Sequence, residues 1–239
     1  MSDYSDRLAE PDADLREALL RRYGRVRPDG FWRRLAFQGK RLTWKVVVGA
    51  TYVFKRLLDI VGASILLILL TPLFLTIMLL IRLESPGPIF FKQVRVGRWG
   101  TLFTMWKFRS MYVDAEARKA ALLAANESGG GVIFKMKRDP RITKVGRFIR
   151  KASIDELPQL WNVLVGDMSL VGPRPALPSE VNQYSLADRR RLEVIPGITC
   201  IWQVSGRSDI PFPEQVKLDV QYIESSSFGN EILILLKTV

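Results

Sequence analysis

Two adjacent carboxylates, Asp155 and Glu156, lie in the stretch SIDELPQL (153–160), directly after the most basic part of the chain. Residues 134–151 carry eight Lys and Arg side chains and one acid. An acid pair beside a cationic run can hold a hard metal ion, or attack an electrophile that is itself an anion. The missing residue types narrow the choice. There is no histidine, which excludes Ser/His/Asp and Cys/His triads, imidazole zinc sites and the commonest general base. Cys200 is the single cysteine, which excludes an internal disulfide and a cysteine-cluster metal site and fits a reducing, cytoplasm-facing compartment. Chemistry here must use Asp, Glu, Lys, Arg, Tyr or a metal held by oxygens. A formal net charge of +12 asks for an anionic partner: nucleic acid, a phospholipid surface or a phosphorylated substrate.

The elements that must position these acids can be read from the surrounding pattern. Ser153 and Glu156 have the spacing of a capping box, and Asp155 would meet the positive end of a helix running towards Leu164. Pro158 then falls one position past the stretch where a missing N–H costs nothing. Upstream, Ile142, Val145, Phe148 and Ile149 recur with a helical pattern that lets Lys144, Arg147 and Lys151 share a face. Earlier still, SPGPIFFKQVRVGRWGTLFTMWKFRSM reads as a turn, a strand, a tight connection at residues 97–100 and a second strand. An Ala-rich helix is expected over 113–125, ended by NESGGG. Downstream, GDMSLVGPRPALP and IPGITCIWQVSGRSD are loops rich in Gly and Pro. They hold Arg174 and Arg207 among exposed backbone amides, a composition suited to phosphate or nucleotide. No internal repeat, Walker motif or dinucleotide fingerprint is present.

Residues 60–81 are 22 residues without a charge, about 33 Å as a straight helix and long enough to span a bilayer. Pro72 breaks that helix near Thr71, leaving arms of about 18 and 15 Å, neither of which crosses alone. Residues 32–58 carry seven Lys and Arg and no acid, and residues 82–109 carry six and one acid, Glu84. Cytoplasmic flanks carry the excess of basic residues, so a single span would put one group on the wrong side. A re-entrant hairpin turning at Thr71 and Pro72 is therefore preferred over a kinked span. The aromatic and basic residues of 31–56 suit the bilayer interface, and residues 1–30 are polar, with a partly helical stretch around 12–22.

The chain resembles the bacterial sugar transferases, the monotopic polyprenyl-phosphate phosphoglycosyl transferases, from about Phe54 onward. The resemblance rests on FKRLLDIVGA, the KFRSM-ending stretch above, DPRITKVGRFIRKASIDELPQLWNVLVGDMSLVGPRP and PGITCIWQVSGRS, all in the family's order. It implies transfer of a hexose 1-phosphate, galactose or glucose, from a UDP-sugar to polyprenyl phosphate, with release of UMP, at the start of exopolysaccharide repeat-unit synthesis. It also implies a membrane helix broken at Thr71 and Pro72. By resemblance Asp155 is the nucleophile of a phosphoaspartyl-sugar intermediate and Glu156 helps hold Mg²⁺, with Asp219 a second candidate for the metal or for a structural role. Lys107, Arg109, Arg147, Arg174 and Arg207 would contact phosphates. Where the family reads PGITG this chain has Cys200, which would strain the loop if a positive φ were needed there. The apolar run FGNEILILLKTV usually continues as a membrane-surface helix, so the end here is expected to be a truncation.

The expected fold is mixed α/β and helix-rich. It comprises a polar and basic segment (1–52), a re-entrant membrane helix (53–83) and a compact cytoplasmic catalytic domain with interfacial amphipathic helices (84–239). Expected partners are the UDP-sugar, polyprenyl phosphate and membrane lipid, with room for downstream glycosyltransferases or a second copy of the chain and no role for nucleic acid. The rival is a non-enzymatic basic scaffold at the membrane that binds anionic lipid or RNA. Such a scaffold would tolerate Asp155→Asn, whereas the enzyme would lose turnover.

Overall fold

The computed structural model describes residues 31–115, 117, 118, 139–206, 210–225 and 227–238. Residues 1–30, most of the expected Ala-rich helix and Arg207 lie outside these. The chain divides into two compact units, Met1–Phe54 and Lys55–Val239. In the first, the described residues 31–54 are helical. The second unit carries the functional elements.

Helix α1 (Phe31–Leu69) gives way at Leu70 to α2 (Thr71–Glu84), with Pro72 in the first turn of α2. The proline has no N–H for the turn behind it. Thr71 donates to the Leu67 carbonyl at 2.8 Å, and Thr76 to that of Pro72 at 2.9 Å. Among the described residues no single helix is long and apolar enough to cross a membrane. The pair Gly49–Leu69 and Thr71–Glu84, bent by 61°, has the length and composition together.

Strands β1 (Phe90–Val96) and β2 (Leu102–Phe108) form the expected antiparallel hairpin, with Arg95 opposite Phe103 and Gln93 opposite Met105. Its turn needs Trp99 at φ 57° and Gly100 at φ 81°. Helix α3 (Lys144–Lys151) bears out the basic helical pattern. Thr143 caps it by accepting from Gly146 N–H, and the Glu84 carboxylate accepts from the backbone N–H of Lys144 and Val145. The one acid of the 82–109 flank therefore serves a helix N-terminus, where negative charge is favoured. A 3₁₀ turn (Ile154–Glu156) leads into α4 (Gln159–Val165), then β3 (Ser169–Val171) and α5 (Pro178–Val181). After a second 3₁₀ stretch (Asp188–Glu193) come β4 (Gly197–Thr199), α6 (Ile201–Ser205), α7 (Phe212–Ser225) and α8 (Phe228–Thr238). β3 and β4 pair in parallel. The architecture is mixed and helix-rich, with two two-stranded sheets among the described residues.

The two arms of the bent pair are built into the core. Ile77 and Ile81 of α2 pack with Phe108 of β2 and Ile149 of α3, with Ile154 against the same cluster. Ala63 and Leu67 of α1 pack with Met105, Leu160, Val163 and Met168. Each fully buried Ile, Leu or Phe contributes about 1.5–3 kcal/mol, so these clusters outweigh surface ion pairs in holding the arms. The polar residues of FKRLLDIVGA make the anchoring specific. Arg56 donates to the Val163 and Leu164 carbonyls at 2.5 and 2.7 Å, closing the last turn of α4. Asp59, buried, accepts from Ser169 Oγ and Leu170 N–H. Lys55 pairs with Glu231 of α8 at 2.6 Å.

Candidate active site

The acid pair does not start a helix, so the capping box expected from its spacing is a correction. Ser153 takes the left-handed conformation, φ 56° and ψ 17°, and its side chain makes no capping bond. That conformation costs a non-glycine residue about 1–2 kcal/mol, and it turns the chain sharply away from the end of α3. Ile154 is anchored in the apolar cluster, and the next two side chains come off a single 3₁₀ turn. Pro158 then stands at the N-cap of α4, where its missing N–H leaves no bond unmade.

The turn is held against the hairpin by Asn162, 1 % exposed. Its amide donates to the Thr104 carbonyl at 2.7 Å and its Oδ1 accepts from Trp106 N–H at 3.1 Å, bolting α4 to β2. In β2 the alternation of side chains puts Phe103, Met105 and Lys107 on one face, the face that Gln93 and Arg95 share on β1. Lys107 Nζ meets Glu156 Oε1 at 2.6 Å. A cleft opens there, lined by Arg95, Lys107, Glu156, Gln159, Arg174 and Gln203, among others.

The charges are unbalanced in favour of cations, and the carboxylates respond differently. Burial pushes Glu156 up, but Lys107, Arg174 and Arg95 together outweigh it and hold the group below the usual carboxylate range. Burial raises Asp155, with Glu156 adding to the rise, while Lys107 and Arg150 oppose it. Burial lowers Lys107, and Arg174 adds to the fall against the pull of Glu156. One cause links these shifts. A desolvated, net-positive cleft stabilises the carboxylate within it and penalises a further ammonium.

Of the residues singled out from sequence, the structure brings together Asp155, Glu156, Lys107 and Arg174. Among the described residues Arg174, on the GPRP loop, has no hydrogen bond or ion pair. Arg109 is elsewhere in role: its guanidinium donates to the carbonyls of Ser85 and Pro86, securing the turn between α2 and β1. Arg147 is exposed on α3, and it is Arg150 of the same helix that acts on Asp155. Asp219 is fully buried in α7, 2.7 Å from Arg191, and does not line the cleft. Burial pushes its carboxyl up to about 6 against the pull of Arg191. Cys200 has φ −147°, so its side chain strains nothing. Burial raises its thiol to about 12, and it donates to Gln203 Oε1 at 3.1 Å.

Arg95, Arg150, Gln159, Asn162 and Gln203 were missed from sequence. For Arg95 a signal existed: once the hairpin turn is fixed at 97–100, period-two alternation assigns it to the Lys107 face. Asn162 and the glutamines give no such sign, because their roles depend on contacts between elements far apart in the chain.

Residues 50–239 match the model of the family described as bacterial sugar transferase. A galactosyl transferase of Streptococcus agalactiae is 52 % identical over 186 residues, covering 77 % of this chain and 41 % of that protein. An undecaprenyl-phosphate galactose phosphotransferase of Salmonella typhimurium is 44 % identical over 187 residues, covering 77 % and 39 %. An exopolysaccharide production protein of Rhizobium meliloti is 38 % identical over 188 residues, covering 77 % and 83 %. The match thus spans about two fifths of the first two relatives and most of the third. Since the matched region holds the bent helix pair, the acid turn and the cationic cleft together, the chain belongs to the bacterial sugar transferase family.

Proposed function

We propose that this protein transfers a hexose 1-phosphate, galactose or glucose, from a UDP-sugar to a polyprenyl phosphate and releases UMP, initiating an exopolysaccharide repeat unit. The observation that carries the proposal is the placing of Glu156 in a cleft with Lys107, Arg95 and Arg174, with Asp155 next to it, under the influence of Lys107, on a turn whose Ile154 packs against α2. Two relatives' names, a galactosyl transferase and an undecaprenyl-phosphate galactose phosphotransferase, support galactose and the lipid acceptor.

In the proposed first step an Asp155 carboxylate oxygen bonds to the phosphorus that bears the sugar. The bond from that phosphorus to the bridging oxygen breaks, and UMP leaves with that oxygen. In the second, an oxygen of polyprenyl phosphate attacks the same phosphorus, which yields the lipid diphosphate sugar and restores the carboxylate. Neither step needs a proton shuttle, in keeping with a chain that lacks histidine. Lys107 and Arg174 supply positive charge where the departing phosphate gathers negative charge. The donor set also fits Mg²⁺, which uses one or two carboxylates and leans on substrate phosphates. Glu156 would hold it, with Oε1 already bonded to Lys107, and the ion would neutralise phosphate charge. Asp219, sealed against Arg191, is better read as a structural acid.

We place the catalytic unit on the cytoplasmic face of the membrane, with the bent pair as a re-entrant hairpin. A symmetric V bent by 61° tilts each arm by about half that angle from the membrane plane. An 18 Å arm then reaches about 9 Å deep, well short of the roughly 30 Å core. Cysteines placed at both ends of the pair should be labelled from one side of sealed vesicles, and labelling from opposite sides refutes the hairpin. For the reaction, purified full-length protein is given UDP-galactose or UDP-glucose with undecaprenyl phosphate. UMP should appear with the wild type and fall by at least about 1,000-fold with Asp155→Asn. Near-normal release by that variant would end the covalent route, and absence of UMP from the wild type with either donor would favour the scaffold reading.

A further inference from the structure

We propose that Arg95 is a second phosphate-binding side chain, which with Arg174 receives the diphosphate of the donor; the donor's identity rests on the function proposed above. Arg95 is 7 % exposed, and a guanidinium removed from water ordinarily requires a carboxylate partner. Among the described residues it has none. Nη1 donates to the Pro175 carbonyl at 3.0 Å and Nη2 to Gln93 Oε1 at 2.7 Å, while the buried Nε–H has no acceptor. Burial and then the like charge of Arg174 lower Arg95 to about 10, against the opposing pull of Glu180 and Glu156.

The charge count identifies the missing partner. Among the side chains that line the cleft, Lys107 and Glu156 cancel through their 2.6 Å contact and Arg95 and Arg174 remain as two cations, with Asp155 and Glu180 acting from outside the lining. A nucleoside diphosphate sugar carries one negative charge on each of two linked phosphates. The elements that carry the two guanidiniums are also tied together. Arg95 bonds to Pro175, next to Arg174, and the neighbouring Val96 N–H donates to the Ala176 carbonyl at 2.9 Å, so the hairpin is stitched to the GPRP loop. Donors held in place before the ligand arrives lose little on binding it. A side chain serving only as a strut for the loop would need the Pro175 bond. It would need neither a vacant buried Nε–H nor a like-charged neighbour.

The test measures binding of UDP, UMP and inorganic pyrophosphate by calorimetry to the full-length protein and to Arg95→Gln and Arg95→Lys. Thermal unfolding of each variant verifies folding, and the lysine variant retains the charge if the glutamine variant does not fold. UDP affinity should fall by about 10- to 100-fold in Arg95→Gln, the worth of a charge-assisted hydrogen bond. The fall should be smaller in Arg95→Lys. UMP, whose single phosphate can be met by Arg174, should lose much less. Unchanged UDP affinity, or equal losses for UDP and UMP, overturns the assignment and leaves Arg95 a strut. If the wild type binds pyrophosphate in an Arg95-dependent way but not UDP, the diphosphate site stands and the donor reading falls. If it binds neither, both fall.

Discussion

Gly146→Ala sets two backbone effects against each other at a position that controls the active turn. In an isolated helix alanine is favoured over glycine by about 1 kcal/mol. Here the added Cβ would lie 2.6 Å from the Ser110 carbonyl carbon, closer still to its oxygen, and 2.8 Å from Thr143 Oγ1. Ordinary contact begins at 3.4 Å, so to clear the Ser110 carbonyl oxygen α3 and the end of the hairpin must separate by about 1.5 Å. Both sides are backbone, and Thr143 N–H also donates to Ser110 O at 3.2 Å, so neither yields as a side-chain tip would. Overpacking of this kind costs about 1–3 kcal/mol, here at the upper end, and the net loss is about 2 kcal/mol after the helix gain. For a chain of this size that lowers the unfolding midpoint by about 4–8 °C. Function should suffer more than stability. α3 carries Ile149 of the core and Arg150, which acts on Asp155, and a misplacement near 1 Å costs about 100-fold in rate. Thermal unfolding in detergent and UMP release are the two readouts. Gly49→Ala, with nothing within 4 Å of its Cβ, is the control and should be neutral or slightly stabilising. Wild-type stability together with UMP release within about threefold of wild type in Gly146→Ala would refute the packing argument.

Further tests use pH. Asp155 is raised above its ordinary 3.8, so the acid limb of UMP release should lie above 3.8. Lys107 opposes the rise, so Lys107→Met should move that limb to higher pH, and a move to lower pH would show that the ammonium does not act on Asp155. Asp219 is raised from 3.8 to about 6, so between these values the folded state holds a proton that the unfolded state has lost. Its contribution to stability is therefore full below 3.8 and is lost as pH rises towards 6. Asp219→Asn should flatten that part of the stability-against-pH curve, and an unchanged slope would refute the raised value.

The features legible in the sequence were those that depend on neighbours in the chain. Alternation gave the hairpin, helical period gave α3, and Pro72 gave the break between α1 and α2. The acid turn was misread because a capping box is a local pattern, whereas Glu156 is committed to Lys107, 49 residues away. Arg109 shows the same limit. An arginine two residues after Lys107 in KFRSM looks like a phosphate ligand on the same face, but β2 ends at Phe108 and the guanidinium goes to the carbonyls of Ser85 and Pro86. Asp219 could be seen as important but not as the partner of Arg191, since the contact between α7 and the second 3₁₀ stretch has no local signature.

The bent pair shares both apolar clusters with the segment 84–239, so the two should depend on each other in folding. The segment 84–239 made alone would lose Ala63 and Leu67 from one cluster and Ile77 and Ile81 from another. It would also lose the Arg56 bonds that close α4 and the Asp59 bonds to β3. Two buried isoleucines alone account for about 3–6 kcal/mol, a large share of the 5–15 kcal/mol that holds a domain together. Phe108, Ile149 and Ile154, which support the acid turn, would then face water. The segment should therefore give no cooperative unfolding transition and no UMP release, whereas 55–239 in detergent should retain both. A soluble, cooperatively folding 84–239 would show that the bent pair merely tethers the enzyme, and that the packing of α2 against Ile154 does not hold Asp155 in place.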